Sequence, residues 1–140
     1  MTDEPEPLRH TGHLIRRAQH RHAALWRAQV SKEVSSVQYA ALAVLERMPG
    51  ASQSELGAEL DLDRSTVADI VVRLDRRGII ERSSHESDLR RYSLRLSAAG
   101  LAEVARLRPL VAEANAKLTE RLGADELDMF RLLLKRVLGS

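Results

Sequence analysis

The chain has 140 residues, of which 44% are hydrophobic and 30% are charged, and it contains no cysteine. This composition is typical of one soluble globular domain, and it excludes disulfide bonds and thiolate chemistry. No apolar run reaches the roughly 18 residues of a membrane-spanning helix, and the acidic start MTDEPEPLRH is unlike a signal peptide. We therefore expect a cytoplasmic protein with no membrane segment. The 22 basic and 20 acidic residues leave a net charge of only +2, so the placement of charge is more informative than its sum.

Helical patterns dominate the first half of the chain. After an acidic tail, a first helix is predicted from about Leu8 or Thr11 to Val30, where the stretch VSKEVSSVQ breaks the periodicity. Ser35 followed by Gln38 matches a capping box, in which each residue satisfies a free backbone N–H of the other. A second helix is therefore predicted to begin at this point.

The second helix is predicted to end at Pro49-Gly50, because proline and glycine both oppose helix continuation. Ser52 with Glu55 forms another capping box, which opens a short helix. The tripeptide DLD then makes a turn, and Asp63 can cap a further helix that ends at Gly78.

This further helix, DRSTVADIVVRLDRRG, has two different faces. Four apolar residues recur at helical spacing and predict a buried stripe: Val67, Ile70, Val71 and Leu74. The opposite stripe is Thr66, Asp69, Arg73 and Arg76, with Arg64 and Ser65 at its entrance, so short hydroxyls lie near its start and arginines at its end. Arginine is a planar, permanently charged donor that suits phosphates and guanine edges, and it equally suits surface ion pairs.

After Gly78 the hydrophobic period changes from 3.6 to 2. The runs IIERSS and RYSLRL predict two short strands around a polar tip, HESDLR. Ser97 is expected to cap a long helix that extends to about Leu122. Pro109 falls inside this helix, so we expect a kink or a break there.

Both ends of the chain carry apolar stripes that one small chain cannot cover alone. In the first helix they comprise Leu8, Leu14 and Leu25, and in a last helix after Asp125 they comprise Leu127, Phe130, Leu134 and Val137. Two copies can cover these stripes in a two-fold interface. We thus predict a mainly α fold of one domain, residues 1–140, with dimerisation helices in residues 8–34 and 98–140 and a separate lobe in residues 35–97.

The order of elements in that lobe is short helix, tight turn, second helix and two-stranded hairpin. This is a winged helix-turn-helix, in which the second helix enters the DNA major groove and its small N-terminal side chains approach base edges. Arginines on the hairpin, the wing, suit the narrower groove. The predicted DNA contacts are Arg64, Ser65, Thr66, Asp69 and Arg73 on the helix, and Arg90 and Arg91 at the hairpin tip.

Residues 60–100 closely resemble the core of the MarR family of bacterial transcription regulators. The resemblance rests on DRSTV at the start of the recognition helix, RLDRRGII at its end, D-x-R-R in the wing and LSAAG before the long helix. SSVQYAALAVL is similar to the family's second helix, so the likeness extends over about residues 10–138. It implies a homodimeric repressor with interlocked terminal helices and a palindromic double-stranded operator.

Two other classes of function remain as alternatives. An enzyme is disfavoured because the chain lacks cysteine, a glycine-rich phosphate loop and paired carboxylates beside a histidine, and we expect neither catalysis nor a cofactor. A winged-helix module used only for protein contacts is not formally excluded. The hydroxyl-led helix and the arginine-rich wing favour DNA over that alternative.

The first helix also carries a candidate effector site. In GHLIRRAQHRHAALW, Ile15, Gln19, His22 and Trp26 share one stripe, with Arg16 beside it. A guanidinium can hold a carboxylate, an imidazole a phenol and an indole an aromatic ring, so this set would suit a small aromatic acid. The tryptophan could instead belong to the dimer core, and the histidines could be ordinary surface residues.

The same stretch resembles a subgroup of the family that senses phenolic or aromatic acids. That resemblance implies effector contacts at Arg16, His22 and Trp26, with Gln38 and Tyr39 completing the wall. A metal signal is the alternative: His10, His13, His20 and His22 could supply imidazoles, but no carboxylate set accompanies them in the helix, and we expect no metal.

Overall fold

The computed structural model describes residues 3–85 and 88–140 of the chain. In this part, a 3-10 turn at Glu6–Arg9 precedes six α-helices and one two-stranded antiparallel sheet. The helices are α1 (Thr11–Gln29), α2 (Ser36–Arg47), α3 (Gln53–Leu60), α4 (Arg64–Arg76), α5 (Ala98–Leu118) and α6 (Ala124–Leu138), and the strands are β1 (Ile80–His85) and β2 (Asp88–Leu96). The predicted mainly α architecture with a small hairpin is confirmed.

The chain forms two compact units. One combines the residues up to Val30 with Val111–Ser140, and the other is Ser31–Leu110. The second unit contains α2, α3, α4 and the hairpin, together with the first half of α5.

Each helix of the second unit begins where its cap was predicted. The side-chain oxygens of Ser35, Ser52 and Asp63 accept the backbone N–H three residues further on, at 3.1, 3.1 and 2.7 Å. These contacts satisfy donors that a helix otherwise leaves free in its first turn. The three helix starts are therefore set by local sequence and not by packing alone.

The core of the second unit joins α2, α3 and α4 to the hairpin and α5. Its largest fully buried side chains are Val34, Leu42, Leu45, Leu56, Val67, Val71, Leu74, Ile80, Leu94, Val104 and Leu107. The turn between α3 and α4 is tight: Asp61 has a φ of 53°, and a Cβ on Gly57 would lie 3.2 Å from the carbonyl oxygen of Leu62. Such close approach fixes α4 against α3, as the helix-turn-helix prediction requires.

The hairpin is longer than predicted. Pairing runs from Ile80 opposite Leu96 to His85 opposite Asp88, with a shift in register after Ser84. The predicted six-residue polar tip was too long, because β2 already begins at Asp88. A bulge in β2 accommodates the unequal lengths of the two strands. Residues 90 and 91 consequently lie in the bulged part of β2 and not in the turn.

Helix α5 is capped as predicted but is not broken. The Ser97 hydroxyl accepts the backbone N–H of Gly100 at 3.0 Å and donates to the carbonyl oxygen of Gly78. The helix continues through Pro109 to Leu118, so the predicted break is wrong and the predicted end at Leu122 is four residues late. Proline removes a single helical hydrogen bond, and the exposed position of Pro109 leaves its ring facing solvent.

The terminal helices keep large apolar side chains exposed. On α6 these are Met129, Phe130, Leu132, Leu133, Val137 and Leu138, and on α1 they are Leu14 and Ile15. None of the residues of α6 is buried. Across residues 3–85 and 88–140, no helix combines the length and apolarity that crossing a bilayer would require.

Candidate functional site

Helix α4 separates its two faces cleanly. The predicted apolar stripe is buried against the second unit's core, and every one of its four members is less than one tenth exposed. The four residues of the opposite stripe and the two at its entrance are exposed, and we call the six together the α4 outer face: Arg64, Ser65, Thr66, Asp69, Arg73 and Arg76. The structure thus brings together the five predicted contacts of this helix on one solvent-facing surface.

The N-terminal end of this face is organised by Asp63. Its carboxylate accepts the backbone N–H of Thr66 at 2.7 Å and the hydroxyl of Ser65 at 3.0 Å. These hydrogen bonds, chiefly the one from the Thr66 backbone, lower the pKa of the Asp63 side chain. The carboxylate therefore stays ionised, and the Ser65 oxygen, which uses its proton toward Asp63, keeps its lone pairs available as acceptors.

Further along the face, Arg73 is tethered by Asp69. The Nε atom of Arg73 lies 3.0 Å from the carboxylate of Asp69, one helical turn away, and both side chains are largely exposed. Because this contact uses Nε, the two terminal nitrogens of the guanidinium can still donate to another acceptor. The ion pair therefore orients the Arg73 side chain and leaves its terminal nitrogens available to another partner.

Not every arginine of this region is available for an outside partner. Arg77 contacts Glu33, and Arg82 pairs with Asp75 at 3.2 Å. Arg76 was left out of the predicted DNA contacts although its spacing placed it on the α4 outer face. It is exposed, and no ion pair with it occurs within the described residues, so it joins the candidate surface.

The predicted wing contacts are only partly located. Arg90 and Arg91 belong to β2 by their backbone, but their side chains lie outside the described residues, as does the side chain of Asp88. The wing contacts therefore remain predictions.

Three of the predicted effector residues lie on α1. The rings of His22 and Trp26 meet edge to face with centroids 5.9 Å apart. Trp26 is only 4% exposed, so little of its indole is open for stacking in this conformation. Arg16 is exposed and its terminal nitrogen lies 3.4 Å from Nδ1 of His13.

Arg16 also lines a shallow basic depression of about 440 Å³ on α1. Its lining residues are His13, Arg16, Arg17, His20 and Arg21. His22 and Trp26 do not line it. The surface of α1 around Arg16 is therefore strongly basic, because the other four lining residues, two arginines and two histidines, share one helical face with Arg16. The predicted effector residues alone did not indicate this.

Gln38 and Tyr39 lie on α2, and each has a hydrogen-bond partner within the chain. The amide oxygen of Gln38 accepts the backbone N–H of Ser35 at 3.1 Å and so completes the capping box. Tyr39 hydrogen-bonds with Arg108, which pairs with Glu46 at 2.6 Å. The bonds with Glu46 and then Tyr39 raise the pKa of Arg108.

The histidines of α1 do not assemble a metal site in the described chain. Within residues 3–85 and 88–140, no three histidine, aspartate or glutamate side chains lie close enough together to share an ion.

Known proteins share this architecture. The profile of the MarR family matches residues 34–92, which span α2, α3, α4 and most of the hairpin. The crystal structure of the PcaV transcriptional regulator from Streptomyces coelicolor in complex with its natural ligand superposes with a TM-score of 0.93, at 40% identity over 99% of both chains. The chain belongs to the MarR family. It is accordingly a transcription regulator with a winged helix-turn-helix and not an enzyme.

Two further relatives extend the comparison. The transcriptional repressor CouR, solved bound to a 23-mer DNA duplex, is 28% identical over 99% of both chains, with a TM-score of 0.88. A putative transcriptional regulatory protein for the hcr operon of Thauera aromatica is 34% identical over 99 residues. That match covers 71% of this chain and 60% of the Thauera protein.

Proposed function

We propose that the chain is a homodimeric repressor that reads a palindromic operator with the α4 outer face and grips the flanking minor groove with the wing. The observation that carries this proposal is the division of α4 into a buried apolar stripe and an exposed face, with the short hydroxyls of Ser65 and Thr66 near its start and arginines at its end. The short side chains of Ser65 and Thr66 let the helix end approach base edges. The arginines reach phosphates, which fix register and orientation.

The dimer part of the proposal is supported by α6. Six of its large apolar side chains are exposed in one chain: Met129, Phe130, Leu132, Leu133, Val137 and Leu138. Extensive exposed apolar surface of this kind marks an interaction site. In an isologous dimer the same surface serves both copies. Two recognition helices would then face successive major grooves, about 10 bp apart.

Base reading is tested at Thr66. We expect Thr66→Ala to reduce the preference for operator over random duplex by about tenfold, since one base contact is typically worth 1–3 kcal/mol, while affinity for random DNA changes little. Fluorescence anisotropy with a duplex from the region upstream of the chain's own gene, and with a scrambled duplex, measures both. An equal loss on the two duplexes would show that Thr66 does not read bases.

Arg90→Ala tests the wing. This variant should weaken operator binding, and the slope of log affinity against log salt should fall by about 1, because one phosphate neutralisation is lost. Arg95→Ala is the matched control: it removes the same charge from an exposed position on the same strand, five residues further along. Equal salt slopes for the wild type and Arg90→Ala would contradict the wing contact.

We further propose that a small aromatic carboxylate, such as a hydroxybenzoate, binds through Arg16 and releases the repressor from DNA. His22 and Trp26 would contact its ring, and Gln38 and Tyr39 would complete the site. The exposed guanidinium of Arg16, in a basic part of α1, supports carboxylate binding. The ligand would favour a spacing of the recognition helices that no longer fits the operator, and a coupling of about 1–3 kcal/mol suffices.

Arg16→Ala tests the effector site. We expect this variant to lose at least about tenfold in affinity for hydroxybenzoates, because the bound carboxylate loses its charged partner. Arg27→Ala, an exposed arginine on the same helix, is the control. Titration calorimetry with a panel of benzoates and phenols measures both. If the wild type binds no aromatic acid at millimolar concentration, or if Arg16→Ala binds as well as the wild type, the effector proposal fails and the DNA-binding proposal stands.

A further inference from the structure

The residue that follows α4, Arg77, hydrogen-bonds with a residue 44 positions earlier in the chain. Arg77 caps the C-terminal end of α4, and one terminal nitrogen of its guanidinium donates to the backbone carbonyl of Glu33 at 3.0 Å. The other terminal nitrogen lies 3.2 Å from the Glu33 carboxylate. This two-point contact, which we call the Arg77 clasp, ties the end of α4 to the Ser31–Ser35 segment.

The Ser31–Ser35 segment is held in place by hydrogen bonds and by a buried side chain. The Ser31 hydroxyl accepts the backbone N–H groups of Glu33 and Val34, at 3.0 and 2.9 Å. Val34 is fully buried, and Ser35 caps α2. The segment also directly follows Val30, the C-cap of α1, so it is the covalent link between the proposed effector helix and the DNA-binding unit.

The contact to the backbone carbonyl is the stronger half of the clasp. The Arg77 side chain is only 34% exposed whereas that of Glu33 is 82% exposed, so water weakens the ion pair more than the hydrogen bond to the main chain. Glu103 and Arg106 on α5 form a bidentate pair near the clasp. Hydrogen bonding by Arg106 and, to a smaller extent, the charge of Arg77 lower the pKa of Glu103.

We propose that Arg77 is a positioning residue that fixes the direction of α4 against the Ser31–Ser35 segment and thereby sets the half-site spacing that the dimer accepts. This inference rests on the proposed DNA-binding function. Both ends of the guanidinium are engaged within the protein, so Arg77 acts on DNA through α4 and does not contact phosphate itself. Without the clasp, α4 keeps its buried face but its distal end gains freedom to tilt.

The test uses the full-length protein and three operators: a site selected from a library of random duplexes, and the same site with one base pair added or removed between the half-sites. Each change shifts one half-site by about 3.4 Å and rotates it around the helix, so the wild type should bind both altered operators much more weakly. Arg77→Met should reduce that discrimination by about tenfold. Glu33→Gln keeps the hydrogen bond to the backbone carbonyl, so it should reduce the discrimination by less than Arg77→Met does.

Arg76→Met is the matched control, because it removes the neighbouring exposed arginine and leaves the clasp intact. It should weaken all three operators together and retain the wild-type discrimination. Hydrogen exchange without DNA supplies a second readout: Arg77→Met should speed exchange in residues 31–35 relative to the wild type, and Arg76→Met should not.

Two results would overturn the role of Arg77. In the first, Arg77→Met discriminates among the three operators as well as the wild type does, but it binds all three equally more weakly and with a lower salt slope. Arg77 would then be a phosphate contact. The other is unchanged exchange in residues 31–35. A wild type that prefers none of the three operators over random duplex would instead contradict the proposed function itself, so the two failures are distinguishable.

Discussion

Replacing Gly100 by alanine should destabilise the protein by about 3 kcal/mol. A Cβ at this position would overlap the carbonyl oxygen of Ile79 and lie 3.1 Å from its carbonyl carbon. That carbonyl cannot yield easily, because it accepts the backbone N–H of Ser97 at 3.0 Å and the Ile79 N–H donates to Leu74 at 3.1 Å. The added methyl must push the start of α5 away from the strand that follows the recognition helix. Denaturant unfolding at fixed protein concentration measures the loss.

Gly12→Ala is the control for this experiment. It is the same substitution within a helix, at a position where a Cβ would meet nothing within 4 Å. Because alanine favours helix over glycine by up to about 1 kcal/mol, this variant should be as stable as the wild type or slightly more so. Equal stabilities for Gly100→Ala and the wild type would show that α5 does not approach Ile79 this closely in solution.

Disrupting α6 should dissociate the dimer. Leu133 is 47% exposed in one chain, and the proposed two-fold interface buries it in both copies. Leu133→Asp then places two charges in one apolar interface and should raise the dissociation constant by at least about 100-fold. Deletion of residues 124–140 should likewise abolish dimers. Analytical ultracentrifugation measures the mass across a concentration series.

Val37→Asp is the control for the dimer experiment. Val37 is 42% exposed, close to Leu133, but it lies on α2 in the other compact unit and outside the predicted dimerisation helices. Its substitution should leave the dimer unchanged while changing the surface charge equally. A full-length wild type that sediments as a stable, folded monomer would contradict the assembly proposed here.

Local chemistry explains which parts of the fold were predictable. Ser35, Ser52 and Asp63 were found from sequence because a cap and its N–H partner lie three residues apart. The two faces of α4 were equally readable, since helical periodicity alone assigns Val67 to the core and Thr66 to the surface.

Features that depend on distant partners were missed. The length of the hairpin depends on backbone pairing across the turn, and the polarity of residues 85–90 suggested a loop where β2 had already begun. The continuity of α5 through Pro109 is set by packing on both sides of it, which outweighs one lost hydrogen bond. The Arg77 clasp joins residues 44 positions apart, and sequence alone showed only another arginine.

The candidate effector site was likewise predictable only where it depends on local spacing. Helical spacing placed Arg16, His22 and Trp26 on α1, and the edge-to-face contact of the last two follows from their four-residue separation. The burial of Trp26 could not be read from that spacing, because it depends on the packing of the folded chain. Nor could the bond between Tyr39 and Arg108, whose positions are far apart in the sequence.

Selection of binding sites from a library of random duplexes tests most directly whether this chain reads DNA as a symmetric dimer. The wild-type protein should enrich an inverted repeat whose half-site centres lie about 10 bp apart, matching two α4 helices in successive major grooves. Thr66→Ala, run in parallel, should enrich a less constrained half-site with the same spacing. Enrichment of no sequence, or of a single site without two-fold symmetry, would contradict the proposed function.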